Sequence, residues 1–440
     1  MSFIIDKQTL NDLGIFSRNK EVSVFGIYNT VHTRGGARIL EEMFTNPLDD
    51  VAKIRKRSGL IGFFQKENPD FPFRASWFDA AEFYLSDRDT RTRISEGQNL
   101  LYQKFRHFIK TDTEYRQIRS GIISLICIIS ALRDFVEAMS GKGCREFMEF
   151  SAGIMPVLDS PDFKSVMGGD PEIMTAETSG TAALDSLFRY SRYEDVNRLL
   201  DYVYRLDVCI SAAKVASERG FTQAEVFPAT ENIMEIEGLR HPALADPVTN
   251  DIAIDEKNNV IFLTGANMAG KSTFMKSFGI AVFLAHVGFP VPASSMRFSV
   301  RDGLYTTINL PDNLNRGYSH FYAEVKRLKK VAQSLCTWRN MVVIFDELFR
   351  GTNVKDAYDA TVAVTQAFAE ITESIFIIST HIIEAGETLS HLCGNIRFLY
   401  LPTVMEGERP RYTYRLEEGI TEDRHGMLII RNEGILDILN

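Results

Sequence analysis

The apolar run Val260-Ile261-Phe262-Leu263 leads into Gly265-Ala266-Asn267-Met268-Ala269-Gly270-Lys271-Ser272-Thr273. A buried strand feeding the spacing Gly-x-x-x-x-Gly-Lys-Ser commits this part of the chain to an α/β fold with a phosphate-binding loop. Glycines tolerate the dihedrals that turn successive backbone N–H groups inward on a di- or triphosphate, and they leave no side chain in the way. Residues 274–283 continue as a predicted helix, whose N-terminus favours an anion. Lys271 then reaches the terminal phosphates and Ser272 ligates Mg2+, so Gly265 to Thr273 are the candidate nucleotide-binding residues. An ordinary glycine-rich turn requires neither the strand before it nor the helix after it.

A second segment supplies what hydrolysis needs. Met341-Val342-Val343-Ile344-Phe345 reads as a buried strand ending in Asp346-Glu347, which places two carboxylates at a carboxyl edge where α/β sheets bind ligands. Asp346 is the candidate Mg2+ ligand alongside Ser272, and Glu347 the group that polarises the attacking water. A third strand, Ser374-Ile375-Phe376-Ile377-Ile378, runs into Ser379-Thr380-His381 and brings an imidazole to the same edge, within reach of the γ-phosphate or the water.

Three such sites in this order resemble the ATPase domain of the DNA mismatch repair MutS family, a branch of the ABC ATPases. The similarity runs from Leu239-Arg240-His241-Pro242 through TGANMAGKSTFMKS, GFPVPA (288–293) and DELFRGTN (346–353) to STHIIE (379–384). Ser319-His320-Phe321-Tyr322-Ala323-Glu324 looks like the family's signature Ser-x-Phe-x-x-Glu, whose serine reaches the γ-phosphate held by the other subunit. The resemblance therefore implies ATP and Mg2+ as cofactors, a homodimer with Ser319 acting in trans, and Asn267 beside the γ-phosphate. Departures from the family pattern are Ala266 and Ala269 for a proline and a glycine, His320 for a common threonine, and Phe349 for a glycine. The aromatic that often stacks on adenine is also replaced, around Pro247-Val248-Thr249-Asn250-Asp251.

The N-terminal half reads as helical. Residues 182–220 contain no proline, and no glycine before Gly220, and carry apolar residues at Leu184, Leu187, Leu199, Leu200, Val203, Leu206 and Ile210. They predict one amphipathic helix of roughly 60 Å that is either a bundle core helix or a lever. A second helix is expected from about Tyr115 to Met139, with a loop or short irregular subdomain over 151–181. Val22 to Arg38, with Pro47-Leu48 and Arg57, looks like the opening of the MutS core/lever domain, and Tyr204-Arg205-Leu206-Asp207-Val208 resembles the end of its returning helix. The expected division is a helical core/lever domain over 1–225 and a P-loop ATPase domain of ABC type over 226–440. Neither the mismatch-reading and connector modules, the usual clamp insertion nor a helix-turn-helix tail is expected.

A net charge of −9 gives no global electrostatic argument for nucleic acid. Arg88, Arg91, Arg93, Lys104, Arg106, Lys110, Arg116 and Arg119 form a modestly basic stretch, either a solvated helix face or a contact for DNA phosphates. Cys127, Cys144, Cys209, Cys336 and Cys393 are widely spaced and odd in number, which reads as reduced thiols, and no run is long enough to span a bilayer. A cytoplasmic protein is expected. The leading functional expectation is an ATP-driven conformational switch in a DNA-binding or mismatch-repair context, with branched or non-specific duplex DNA as partner. The alternative is an ABC-type ATPase acting on a protein partner without mismatch recognition.

Overall fold

The computed structural model describes residues 3–16, 23–87, 111–308, 320–406, 409–421 and 438. The chain forms two compact units that are not consecutive stretches of sequence. One comprises Met1–Tyr28, Met43–Gly59 and Val215–Asn440; the other comprises Asn29–Glu42 and Leu60–Lys214.

The first unit is built on a seven-stranded sheet of β1 (Ile4–Ile5), β2 (Val260–Gly265), β3 (Gly303–Thr307), β4 (Met341–Phe345), β5 (Ile375–Ser379), β6 (Ile396–Leu401) and β7 (Glu417–Glu418). The spatial order is β1-β3-β4-β5-β2-β6-β7, and every pair is parallel except β6 with β7. Every residue of β2, β3, β4 and β5 is buried, as the apolar runs of β2, β4 and β5 demand of strands covered on both faces. The sheet is accompanied by helices α1 (Lys271–Val287), α2 (His320–Leu335), α3 (Val354–Ala369) and α4 (Ile383–Leu392). Against β4 and β5, Phe368 of α3 stacks between Phe345 and Phe376, with ring centroids 5.9 and 4.5 Å away. Register matters most for the site: Leu263 pairs with Ser379 and Phe345 with Ile378, so β2, β5 and β4 end side by side. A second sheet orders Glu225–Phe227, Ser295–Ser299, Met234–Leu239 and Asn250–Ile254.

Two segments from before residue 225 complete this unit. Ile4 and Ile5 add β1 beside Gly303 and Leu304, and the Thr9 hydroxyl accepts from the Thr306 N–H at 3.0 Å. The Thr306 hydroxyl and the Ile308 N–H donate to Asp12 at 2.8 and 2.9 Å. Burial opposes ionisation of Asp6, but hydrogen bonds from Arg327, Lys330 and the Thr9 N–H prevail and hold its carboxyl far below the usual range. The GFPVPA motif proves to be a packing element. Phe289 sits edge-on to Tyr28 and Phe44 at 5.3 and 5.4 Å, and the Pro290 carbonyl accepts from the Tyr28 hydroxyl at 2.5 Å.

The second unit is helical, and its long terminal helix is not continuous. Residues 182–220 divide into the end of Thr178–Ser186, a π turn over Leu187–Ser191, and Tyr193–Arg219. The wide turn buries Phe188 and Arg189 together, and Arg189 forms an ion pair with Asp185 in which neither side chain is exposed. A buried cation needs such a counter-charge, and Asp185 stands four residues before it on the same helical face. The helix expected near 115–139 spans Thr111–Ser140, and 151–181 holds short helices starting at Met155, Pro161 and Pro171.

The two segments that resemble the core/lever domain meet here. Buried Asp207 accepts from the backbone N–H groups of His32 and Thr33 at 3.0 and 2.8 Å and from the Thr33 hydroxyl at 2.7 Å. Gly35 and Gly36 follow because a Cβ would lie 2.5 Å from the Tyr204 ring or 2.6 Å from Asp207 Oδ2. Among the described residues no helix is long and apolar enough to cross a membrane, and all five cysteines are free thiols.

His286 supplies a test of the α1 environment. It is fully buried, its Nδ1 lies 2.8 Å from the Val282 carbonyl and its Nε2 accepts from the Arg301 N–H at 3.0 Å. A carbonyl on one nitrogen and an N–H on the other dictate the neutral tautomer, and burial brings the pKa down to about 3, with the Arg301 charge adding to the effect. The stability gained by keeping the ring neutral is whole above the ordinary value of 6.5 and is lost as pH falls from there towards 3. His286→Gln should flatten the pH dependence of unfolding free energy between pH 6.5 and 4 by about 1.4 kcal/mol per pH unit. Parallel curves for wild type and variant in chemical denaturation would show that the imidazole is not held neutral.

Candidate nucleotide site

β2 delivers the loop with Gly265, Met268 and Gly270 at φ of +143°, +68° and +103°. Gly270 is required twice over, since besides its dihedral a Cβ would stand 3.0 Å from the Tyr414 ring. Ala269 is buried; Asn267 and Met268 are exposed at the tip, and Ser272 and Thr273 are exposed in the first turn of α1. Lys271 is buried, with Nζ donating to the carbonyls of Gly265 at 2.8 Å and Ala266 at 3.1 Å. Burial lowers its pKa, while the neighbouring Asp346 and Glu347 charges pull it back up.

The carboxylate pair sits where the strand register places it. Asp346 Oδ2 accepts from the Ser272 hydroxyl and Oδ1 from the Ser379 hydroxyl, both at 2.5 Å. The Glu347 N–H donates to both the carbonyl and the hydroxyl of Ser379 at 3.1 Å, which holds Glu347 at φ +56°. Glu347 Oε1 lies 2.6 Å from His381 Nε2, and Oε2 lies 3.1 Å from Arg350 Nη1. The hydrogen bond with His381 lowers the Glu347 pKa against the opposing effect of burial, helped by the charges of His381, Arg350 and Lys271. Lys271, Ser272, Asp346, Glu347 and His381, expected from five separate positions, are thus joined at one sheet edge.

Ser319 lies outside the described residues. The helix after it places Phe321 against Phe349, with ring centroids 6.1 Å apart, and a Cβ on Gly351 would come within 2.6 Å of the Phe321 nitrogen. Asn353, the last residue of the DELFRGTN segment, caps α3 by accepting from the Asp356 N–H at 2.9 Å. Of the basic stretch, Arg119 is engaged with Glu172 at 2.5 Å and the Thr175 carbonyl at 3.1 Å, while Arg88, Arg91, Arg93, Lys104, Arg106 and Lys110 lie outside the described residues.

A pocket of about 260 Å³ adjoins the loop. Gly270, Thr273 and Phe274 form its wall on the phosphate side, and His241, Val248 and Tyr414 line the remainder. Sequence reasoning missed Tyr414. The ring arrives from far along the chain, in a segment fastened where the Asn250 side chain donates to the Tyr414 carbonyl at 3.0 Å and accepts from the Leu416 N–H at 2.7 Å. No local spacing announces it. Burial lowers the His241 pKa, with the Lys276 charge acting in the same direction.

The donor set suits Mg2+ carried by a nucleotide. Ser272 and Asp346 converge hard oxygen atoms, and among the described residues no group of three or more His, Cys, Asp or Glu side chains could hold a metal ion unaided. Mg2+ is commonly bound by one or two protein oxygens together with substrate phosphates.

Comparison with known proteins agrees with this geometry. The family described as MutS domain V matches residues 261–437. A DNA mismatch repair protein MutS from Fusobacterium nucleatum is 27% identical over 293 residues, which are 64% of this chain and 32% of that protein. Proteins of the same description from Carboxydothermus hydrogenoformans and Persephonella marina are 31% and 28% identical, covering 55% and 54% of this chain and 29% and 28% of their own lengths. The chain spans about a third or less of the length of these relatives. The segment that brings together Lys271, Ser272 and the Asp346-Glu347 pair is thus the part of the chain that matches MutS domain V, the P-loop ATPase domain of these relatives.

Proposed function

We propose that the protein binds ATP and hydrolyses it with Mg2+, using the ABC-type arrangement of its relatives, as a conformational switch in a mismatch-repair or related DNA-repair context. The observation that carries the proposal is the joining of Lys271, Ser272, Asp346, Glu347 and His381 at the adjacent ends of β2, β4 and β5. In functional terms the chain divides into a core/lever domain over 1–225 and an ATPase domain over 226–440, with residues 1–28 and 43–59 packing as part of the ATPase unit. The names of the relatives favour DNA repair over action on a protein partner alone.

Each residue has a role that its surroundings permit. Lys271 exchanges its two carbonyl partners for phosphate oxygens, a favourable exchange for a cation that burial has destabilised. The N–H groups at the start of α1 face the same anion. Ser272 and Asp346 hold Mg2+, which neutralises phosphate charge when bound. Glu347 is ionised at neutral pH; His381 and Arg350 fix its two oxygens so that the carboxylate orients a water and takes its proton as attack proceeds. The pocket bounded by Tyr414, Val248 and His241 receives the base, with Tyr414 as the aromatic surface.

Lys271→Ala should weaken nucleotide binding by about 100-fold, and Glu347→Gln should bind normally yet lower turnover by about 10² to 10³. Equilibrium binding and phosphate release measured on both variants decide the assignment, and undiminished hydrolysis in Glu347→Gln removes that residue from its role.

We further propose, from the resemblance of Ser319–Glu324 to the family signature, that Ser319 acts across a dimer interface and completes the partner's site. Mixing inactive Lys271→Ala chains with inactive Ser319→Ala chains should then restore part of the activity, up to about a quarter of the wild-type rate if subunits exchange at random and one composite site works alone. Specific activity should also fall on dilution. Activity per chain that is independent of concentration, together with no rescue on mixing, would show that the site is not shared.

DNA is the proposed partner, held through phosphates rather than base edges. Binding should be weak and salt-sensitive, with less than about tenfold preference for a mismatched duplex in a competition assay that includes branched DNA. Neutralising Arg88, Arg91 and Arg93 together should weaken binding uniformly across sequences. Strong, salt-resistant retention of a mismatched duplex would contradict phosphate-dominated binding.

A further inference from the structure

Ser379 is the last residue of β5, the strand lying between β2, which carries the phosphate loop, and β4, which carries the carboxylates. It is fully buried, and its one hydroxyl serves two partners. The proton is donated to Asp346 Oδ1 at 2.5 Å, and a lone pair accepts the Glu347 N–H at 3.1 Å. A serine hydroxyl offers one proton and two lone pairs, so this N–H···O–H···O⁻ chain uses the proton on the carboxylate and leaves Asp346 Oδ2 for Ser272. The main-chain carbonyl of Ser379 also accepts from the Glu347 N–H, so removal of the hydroxyl leaves that N–H paired.

We propose that Ser379 is a positioning residue for the metal ligand, fixing the Asp346 carboxylate so that one oxygen is committed to β5 and the other is presented beside Ser272. This rests on the Mg2+-dependent nucleotide site proposed above, and extends it to a fully buried residue behind the proposed metal ligand. The asymmetry follows from the hydrogen bonds. Without the Ser379 hydroxyl, Oδ1 loses its donor and Ser272 alone orients the carboxylate, whereas Lys271 keeps its carbonyl partners.

The test is equilibrium binding of a fluorescent ATP analogue to the full chain, with Mg2+ and with the metal chelated, in wild type, Ser379→Ala and Ser379→Thr. A charge-assisted hydrogen bond predicts that Ser379→Ala loses roughly 10- to 30-fold of the affinity gained on adding Mg2+, while its metal-free affinity stays within about twofold of wild type. Ser379→Thr, which keeps the hydroxyl, should retain most of the gain. The same Ser379→Ala chain should need roughly tenfold more Mg2+ for half-maximal turnover. An undiminished Mg2+ response in Ser379→Ala overturns the inference and leaves the ATPase reading standing. So does an equal loss of metal-free and metal-dependent affinity, which would mark Ser379 as structural. Failure of the wild-type chain to bind nucleotide under either condition overturns the ATPase reading itself and the inference with it.

Discussion

The two hydrogen bonds to Asp346 tie together three chain segments that are far apart in sequence. Ser272 opens α1, Asp346 follows β4, and Ser379 closes β5; one carboxylate accepts from both hydroxyls. Such bonds hold only if the three strand ends lie level, and the parallel register of β2, β5 and β4 provides that. The site is therefore a consequence of sheet order. A slip of one residue between β4 and β5 would turn alternate side chains to the opposite face and carry Ser379 away from Asp346.

Burial then sets the electrostatics. Lys271 sits against two carbonyls with its charge destabilised, while the Glu347 carboxylate is stabilised by His381 and Arg350. A cation short of solvation and an anion already satisfied suit the proposed phosphoryl-transfer site, where the first would be drawn to incoming phosphate and the second kept ionised beside it. The same logic governs packing away from the site. Asp6 meets Arg327 and Lys330, and buried Arg189 meets Asp185.

What could be read from the sequence was what repeats locally. The buried strands announced themselves as unbroken apolar runs, and the residues following each run meet at one place, because parallel strands end at a common edge. Residues recruited through space gave no such signal. Tyr414 reaches the pocket through a segment fastened by Asn250, and Ser379 looked like the mere start of a Ser-Thr-His motif until the register placed it between two strands. The unbroken helix expected over 182–220 is instead interrupted by the π turn at Leu187–Ser191, which apolar periodicity does not report. The segments Met1–Tyr28 and Met43–Gly59 join the ATPase unit through aromatic packing and buried polar contacts that no spacing in the chain foretells.

The carboxylate loop shows how such spatial constraints reinforce one another. Glu347 and Phe349 adopt φ of +56° and +62°, conformations that cost an ordinary side chain of order 1 kcal/mol or more each. Glu347 is held there by Ser379 through its N–H and by His381 and Arg350 through its carboxylate. Phe349 is held by burying its ring against Phe321, and Gly351 allows the Phe321 backbone to approach too closely for any side chain. The family pattern has glycine where this chain has Phe349, so the strain a glycine would avoid is offset here by an apolar contact. That contact reaches the first turn of α2, immediately after Ser319. Phe321 thus packs on Phe349, two residues from Glu347, and joins the start of α2 to the carboxylate loop.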